Sequence, residues 1–202
     1  LGFQEASSVV YRASTLILAL LFAANAPSAR FGVDLGGKPI RQLSLPDTRV
    51  VVLFFGATDC PISNRYIPEM VRLRDEFASR HVAFWWVFPN PEDKSDVVRA
   101  HQREFSYEGS TILDREQTLV RMAHVSVTPE SAVFTVATDG RLRETYHGRV
   151  DNRYISLGQE RPQPTRHDLE EAIFSGINNM QVAPAETHSV GCSIMPAAAV
   201  QQ

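Results

Sequence analysis

The sequence predicts an α/β fold, a central mixed β-sheet flanked by α-helices, and three observations carry that prediction. Val50–Gly56 and Val82–Phe88 are runs of β-branched and aromatic residues without polar alternation, as expected of strands buried on both faces. A helix-periodic segment lies between them, so strand and helix alternate. Asp139-Gly140, set between two further apolar runs, is a hairpin signal that adds antiparallel strands to the same sheet. The length of 202 residues suits one domain with appendages, long enough to bury a core without a disulfide framework.

Taken in order, residues 1–29 read as an address. Ala13–Ala24 is apolar or small throughout, follows Arg12 and precedes Asn25-Ala26-Pro27-Ser28-Ala29, a signal-peptide pattern with cleavage expected around Ala26 to Ala29. The run falls short of the roughly 20 residues that a bilayer span needs. No cysteine stands near the cleavage region to carry a lipid anchor, so no stable membrane anchor is expected. The chain begins at Leu1 with Glu5 close behind, which reads as a fragment or a misassigned start. Removing Glu5 and Arg12 together leaves the net charge at −3.

Cys60-Pro61 opens a helix running to about Arg80, with Ile62, Tyr66, Met70, Leu73 and Phe77 on one face and Pro68 expected to kink it. The strand Val82–Phe88 ends at Pro89-Asn90-Pro91, and a polar helix follows from about Ser95 to Phe105. Thr111–Leu113 is a short strand and Glu116–Ala123 a short helix. Ser131–Ala137 and Leu142–His147 pair across the turn at Thr138–Arg141. Residues 149–164 are polar and irregular, Thr165 caps a last helix over Arg166–Ile177, and from Gln181 the chain is tail-like but carries Cys192.

Composition excludes several functions. A pI near 6.1 without a Lys/Arg block argues against nucleic acid or an acidic membrane surface as partner. Two cysteines are too few for a four-thiolate zinc site. There is no glycine-rich phosphate loop and no Gly-x-Ser-x-Gly elbow.

One window carries chemistry. Cys60 sits between a buried strand and the first turn of a helix, where the dipole and unpaired N–H groups stabilise a thiolate. Arg65 adds positive charge one turn along, and Asp59 opposes it. The expected export places both cysteines where a disulfide persists.

The strand, Cys60-Pro61-Ile62-Ser63 in place of Cys-X-X-Cys, and Pro68 together resemble the active-site helix of a thioredoxin-fold protein. Val127-Thr128-Pro129-Glu130 resembles the cis-proline loop of that fold, which implies a cis Thr128–Pro129 bond and places both residues against Cys60. The wider pattern is similar to exported redoxin-domain proteins of the AhpC/TSA-like group, through Asp59–Tyr66, Gly148–Tyr154, Arg161-Pro162 with Thr165–Leu169, and Val190-Gly191-Cys192. The likeness spans about residues 33–195. It divides the chain into a signal peptide (1–29), a thioredoxin-like redoxin domain (30–180) and a C-terminal tail bearing Cys192 (181–202).

The departures decide the chemistry. Ser63 replaces a resolving cysteine, so a local dithiol is ruled out, although its hydroxyl can donate to a thiolate. Peroxiredoxins carry Pro seven and Thr three residues before the Cys-Pro pair, where this chain has Leu53 and Ala57, with Thr58 one place off. Arg149 and Arg121 are the cations such a site would need. Cys192 is the remaining candidate partner: a resolving thiol, one half of a structural disulfide contributing about 5 kcal/mol, or a thiol unpaired within the chain.

The expected activity is that of an exported thiol–disulfide oxidoreductase using Cys60, Cys192, Ser63, Thr128 and Pro129, with a protein dithiol or disulfide as partner and no cofactor or metal. The rival readings are a thiol peroxidase passing through a Cys60 sulfenic acid and a copper-handling module using Cys60 with His188 and Cys192. His81, His101 and His167 are read as solvated, and His124 and His147 as structural.

Overall fold

The computed structural model describes residues 31–197, so the expected signal peptide lies outside the described residues. The central sheet is built on β1 (Val50–Phe55), buried along its whole length. β2 (Val82–Phe88) and β3 (Thr111–Leu113) extend it in parallel on one side. β5 (Glu130–Val136) and β6 (Leu142–Gly148) extend it antiparallel on the other, giving the order β3-β2-β1-β5-β6. The mixed sheet expected from the sequence is therefore present, and β1 is its central strand.

Alternation along the strands sorts the core into two layers. Val50, Val52 and Phe54 point to one face, where α1 (Pro61–Phe77) and α4 (Asp168–Ile177) pack with Met70, Leu73, Phe77, Leu169 and Ile173. Val51, Leu53 and Phe55 point to the other, against Leu43 and the short α3 (Thr118–Met122) with Leu119. α2 (Ser95–Glu104) adds Val98 to the first layer. Fully buried, unalternating strands are what such two-sided cover requires.

Pro68 lies inside α1, which ends at Phe77 rather than near Arg80. Three further local expectations are corrected. Residues 149–164 contain a small hairpin, β7 (Tyr154–Ser156) with β8 (Gln159–Glu160). Thr165 does not cap α4: its hydroxyl accepts a bond from Asn152 Nδ2, and the helix begins after His167 without a side-chain cap. His101 is buried rather than solvated, bonded through its two ring nitrogens to Tyr107 and Asn64.

The segment expected as a tail is packed. β4 (Val127–Thr128) pairs antiparallel with β9 (Cys192–Ser193), in the register Thr128↔Cys192. Upstream, the Thr187 N–H donates to the His147 carbonyl and Thr187 Oγ1 accepts from the Arg149 N–H. Ser189 Oγ donates to the buried Glu130 carboxylate. Backbone groups that a free tail would leave to water find partners on β6 and the β4 loop.

Gly148 makes that close approach feasible. Its φ of +142° favours glycine, and a Cβ there would lie 2.2 Å from Thr187 Oγ1 and 2.4 Å from the Thr187 carbonyl oxygen. Gly148→Ala is expected to lower stability by about 1–3 kcal/mol in urea unfolding and to speed amide exchange across residues 185–193. Unchanged exchange there would show that the segment is held without this contact.

Candidate functional site

Cys60 is the residue just before α1, with extended backbone angles (φ −88°, ψ 110°), and Pro61 occupies the first helical position. Its carbonyl accepts the Asn64 N–H at 3.0 Å, so the helix begins immediately beyond the sulfur. The thiol therefore takes the place that a capping oxygen usually has, facing the open N–H groups of the first turn. The end of β1 delivers this turn, and Cys60 is only 1% exposed.

The structure brings together all five residues singled out from the sequence. The Thr128–Pro129 peptide is cis, and the Thr128 carbonyl lies 3.1 Å from Cys60 Sγ, where it accepts the proton of the neutral thiol. Thr128 is fully buried and pairs with Cys192, which sets the second thiol within hydrogen-bonding reach of the first. Both sulfurs are free thiols. Ser63 is buried, and its Oγ has no partner while Cys60 is neutral. It stands ready to donate once the sulfur is charged.

The two thiols have opposite electrostatics. Burial works to raise the Cys60 pKa, but donors from Cys192, from the Ser63 hydroxyl and N–H, and from Thr128 outweigh it and hold the thiol below its ordinary value. Cys192 is pushed up to about 12 by burial, by its bond to Cys60 and that sulfur's charge, and by Asp59. Proximity thus favours ionisation of Cys60 and opposes that of Cys192.

The cations expected near the sulfur lie elsewhere. Arg149 Nε donates to Asp168 at 2.8 Å, Arg121 bonds the Glu116 carbonyl, and Arg65 pairs with Glu160 on the surface. Thr58 is turned away, its N–H and hydroxyl both donating to Asp93. Burial raises the Asp93 pKa, and these two bonds work against that rise.

Sequence reasoning missed the frame behind the site. Asn64 Nδ2 donates to the Thr58 carbonyl, and Asn64 Oδ1 meets His101 Nε2 at 2.8 Å, so a buried histidine braces the cysteine turn. Tyr66 OH donates to Asp151, whose carboxylate also accepts the Arg153 N–H. Asn152 Oδ1 accepts the N–H groups of Thr165 and Arg166. The residues around Asp151 and Asp168 that carried part of the family likeness therefore tie β6 and its following loop to α1 and α4, away from the sulfurs. Glu130, adjacent to Pro129, accepts the Ser126 and Val127 N–H groups and shapes the cis-proline turn. A buried charge beside a Pro was the only sequence signal for it.

Comparison with known proteins follows the same outline. The AhpC/TSA family profile matches residues 22–145. Among solved structures, the chain is similar to a hypothetical protein from Sinorhizobium meliloti, with TM-score 0.68, 21% identity, and coverage of 83% of this chain and 91% of that one. An uncharacterised conserved protein from Geobacillus kaustophilus gives TM-score 0.69 and 20% identity over 84% and 89%. A Neisseria meningitidis protein assigned as a thioredoxin gives TM-score 0.51 and 16% identity over 75% and 90%. At these identities the likeness is one of fold, thioredoxin-like in architecture. No curated protein matches the sequence.

A thiolate absorbance titration tests the electrostatics. Wild-type protein is expected to ionise one thiol below the ordinary cysteine range, a step absent in Cys60→Ser. In Ser63→Ala that step should rise by about one to two pH units, since a bond to a charged group is worth about 1.5–3 kcal/mol. An unmoved step would remove Ser63 from the stabilising set.

Proposed function

The chain belongs to the AhpC/TSA family, and from that membership and the geometry around Cys60 we propose that it is a thiol–disulfide oxidoreductase. The observation that carries the reading is the juxtaposition of a charge-stabilised Cys60 with a protonated Cys192, built by the Thr128↔Cys192 pairing. Cys60 thiolate attacks a sulfur of a partner protein's disulfide, forming a mixed disulfide and releasing one partner thiolate. Cys192 then loses its proton and attacks Cys60 Sγ. The Cys60–Cys192 disulfide forms as the second partner thiolate leaves. The partner has gained two electrons, and a second protein dithiol returns the pair to its reduced form. Run in reverse, the same steps oxidise a dithiol.

Ser63 supplies a donor to Cys60 whenever that sulfur is anionic, and Thr128 and Pro129 hold the backbone against which Cys192 docks. Residues 1–29 serve as a signal peptide, 30–180 as the redoxin domain and 181–202 as the segment that delivers the second sulfur. The partner is an exported protein bearing a dithiol or disulfide. No described helix is long and apolar enough to cross a membrane.

The family match also supports a peroxidase reading, in which Cys60 attacks peroxide and Cys192 resolves the sulfenic acid. Leu53 and Ala57 at the motif positions, and Arg149 and Arg121 engaged elsewhere, leave peroxide without the usual polarising groups. Copper has less support, because the candidate metal clusters among the described residues include neither Cys192 nor His188.

Peptide mapping under non-reducing conditions, with a disulfide reductase assay alongside, tests the reading. A Cys60–Cys192 peptide should appear on oxidation, and Cys60→Ser should abolish reductase turnover. Rapid peroxide consumption without disulfide reductase activity would favour the peroxidase.

Gly191 gives a subtler handle, since a Cβ there would lie 2.3 Å from the Thr128 carbonyl oxygen and must displace Cys192. Gly191→Ala should raise the Cys60 ionisation step by weakening the Cys192 donor, and slow closure of the Cys60–Cys192 disulfide by roughly a hundredfold, the scale of a misplacement near 1 Å. Rapid-quench alkylation measures it.

A further inference from the structure

On the face of the sheet opposite α1, Glu144 and His147 project from β6 and His124 approaches from the loop after α3, bringing three ligating atoms within 4.8 Å of one another. We propose that this cluster is a site for a single divalent cation of the zinc class, held by His124, Glu144 and His147, with Glu186 orienting the His147 ring.

The backbone arranges the cluster through a defined irregularity. Residues three apart on a regular strand face opposite sides. The β5–β6 register skips Thr145, so that Phe134 pairs with Glu144 while Ala132 pairs with His147. Phe134 and Ala132 share the α3 layer, so the bulge turns Glu144 and His147 to the same face. His124 stands just beyond α3 in a left-handed conformation (φ 52°), and its side chain is 71% exposed. Its ring lies 6.0 Å from that of His147, centre to centre.

The donor atoms fit a small cation. Zinc holds His nitrogen and carboxylate oxygen at about 2.0–2.1 Å, which spaces tetrahedral ligand atoms about 3.3 Å apart. His124 Nδ1 and Glu144 Oε2 are 3.4 Å apart. His147 Nδ1 and Glu144 Oε1, now 2.7 Å apart in a hydrogen bond, need to part by about 0.6 Å when the cation replaces the shared proton. Glu144 Oε2 is buried without a hydrogen-bond donor, a costly arrangement that a cation relieves. Imidazole with carboxylate suits zinc better than a hard cation such as magnesium.

The remaining ring nitrogen of His147 lies 3.7 Å from the exposed Glu186 carboxylate, just beyond hydrogen-bond distance, so a small side-chain shift would let that carboxylate fix a metal-bound imidazole. Glu186 belongs to the segment that ends in Cys192, and it bridges to His147 through the backbone. A cation here therefore sits at the root of that segment. The other three-residue cluster, Glu69, His167 and Glu170, differs in kind: Arg72 pairs with both glutamates and already supplies the positive charge.

Calorimetric titration of the reduced chain with zinc tests the site. The arms are wild type, His124→Ala, Glu144→Gln, Glu186→Gln, and a double variant with Cys60→Ser and Cys192→Ser. One zinc should bind wild type and the double-serine protein equally. His124→Ala and Glu144→Gln should each weaken binding at least tenfold, and Glu186→Gln by about tenfold. His124 is largely exposed, so its variant should keep the wild-type unfolding profile, and cobalt substitution should give visible bands without a thiolate charge-transfer band. No binding to wild type, or binding lost in the double-serine protein and unchanged in His124→Ala, would overturn the proposal.

Discussion

The two-residue pairing of Thr128 with Cys192 is the contact on which the rest of the site depends. β1 carries one sulfur to the edge of the core, and the Pro129 turn lays the Thr128 backbone against it. Only the antiparallel ladder on the other side of that backbone brings the second sulfur, from far along the chain, into range. So short a ladder contributes little by itself. It is held in register by contacts upstream, where Gly148 lets Thr187 approach and Glu130 anchors Ser189. Elements of this kind open at low free-energy cost while the core stays folded.

The same juxtaposition sets the chemistry. Two thiols with similar intrinsic acidity are driven apart because one accepts every nearby donor and the other donates while facing Asp59. The proposed attack by Cys60 and resolution by Cys192 rest on that asymmetry. It also links folding to pH with opposite signs. Cys60, depressed in the folded state, contributes stability above the ordinary thiol range and loses it as pH falls through its own lower value. Cys192, raised, contributes below that range and loses the contribution as pH climbs towards about 12.

Most of the scaffold was legible because its signals are local. β1, β2, β3 and the Asp139-Gly140 hairpin fall within a residue or two of the expected limits. Cys60 was legible too, since a thiol at a strand-to-helix junction depends only on neighbours in sequence. What escaped is long-range. Nothing in Gln181–Ser193 alternates strongly enough to announce a strand, because β9 is specified by a partner sixty-four residues away. His101 looked solvated because its helix is polar, and the partners that bury it are Tyr107, just past the helix end, and Asn64, on α1. The bulge at Thr145 likewise leaves no mark in the sequence, yet it decides that Glu144 and His147 share a face.

Burial and ionisation together order the proposed reaction. The sulfur favoured to ionise is the covered one: Cys60 is 1% exposed, while the more accessible Cys192 holds its proton. On the proposed reading, a partner's disulfide meets the protonated thiol first, and reaching the covered sulfur requires the β9 segment to lift. Lifting removes the strongest donor to Cys60, Cys192, together with part of the burial that opposes ionisation, and leaves the Ser63 N–H and hydroxyl, which belong to α1 and do not move with the tail. Ser63 thus still supports the thiolate at the moment it is uncovered. When the segment returns, the ladder that had shielded Cys60 delivers Cys192 to the mixed disulfide, so one motion governs both access and resolution. A serine at position 63 suits this arrangement better than a second cysteine would, because a local thiol would close its own disulfide before the distant one arrived.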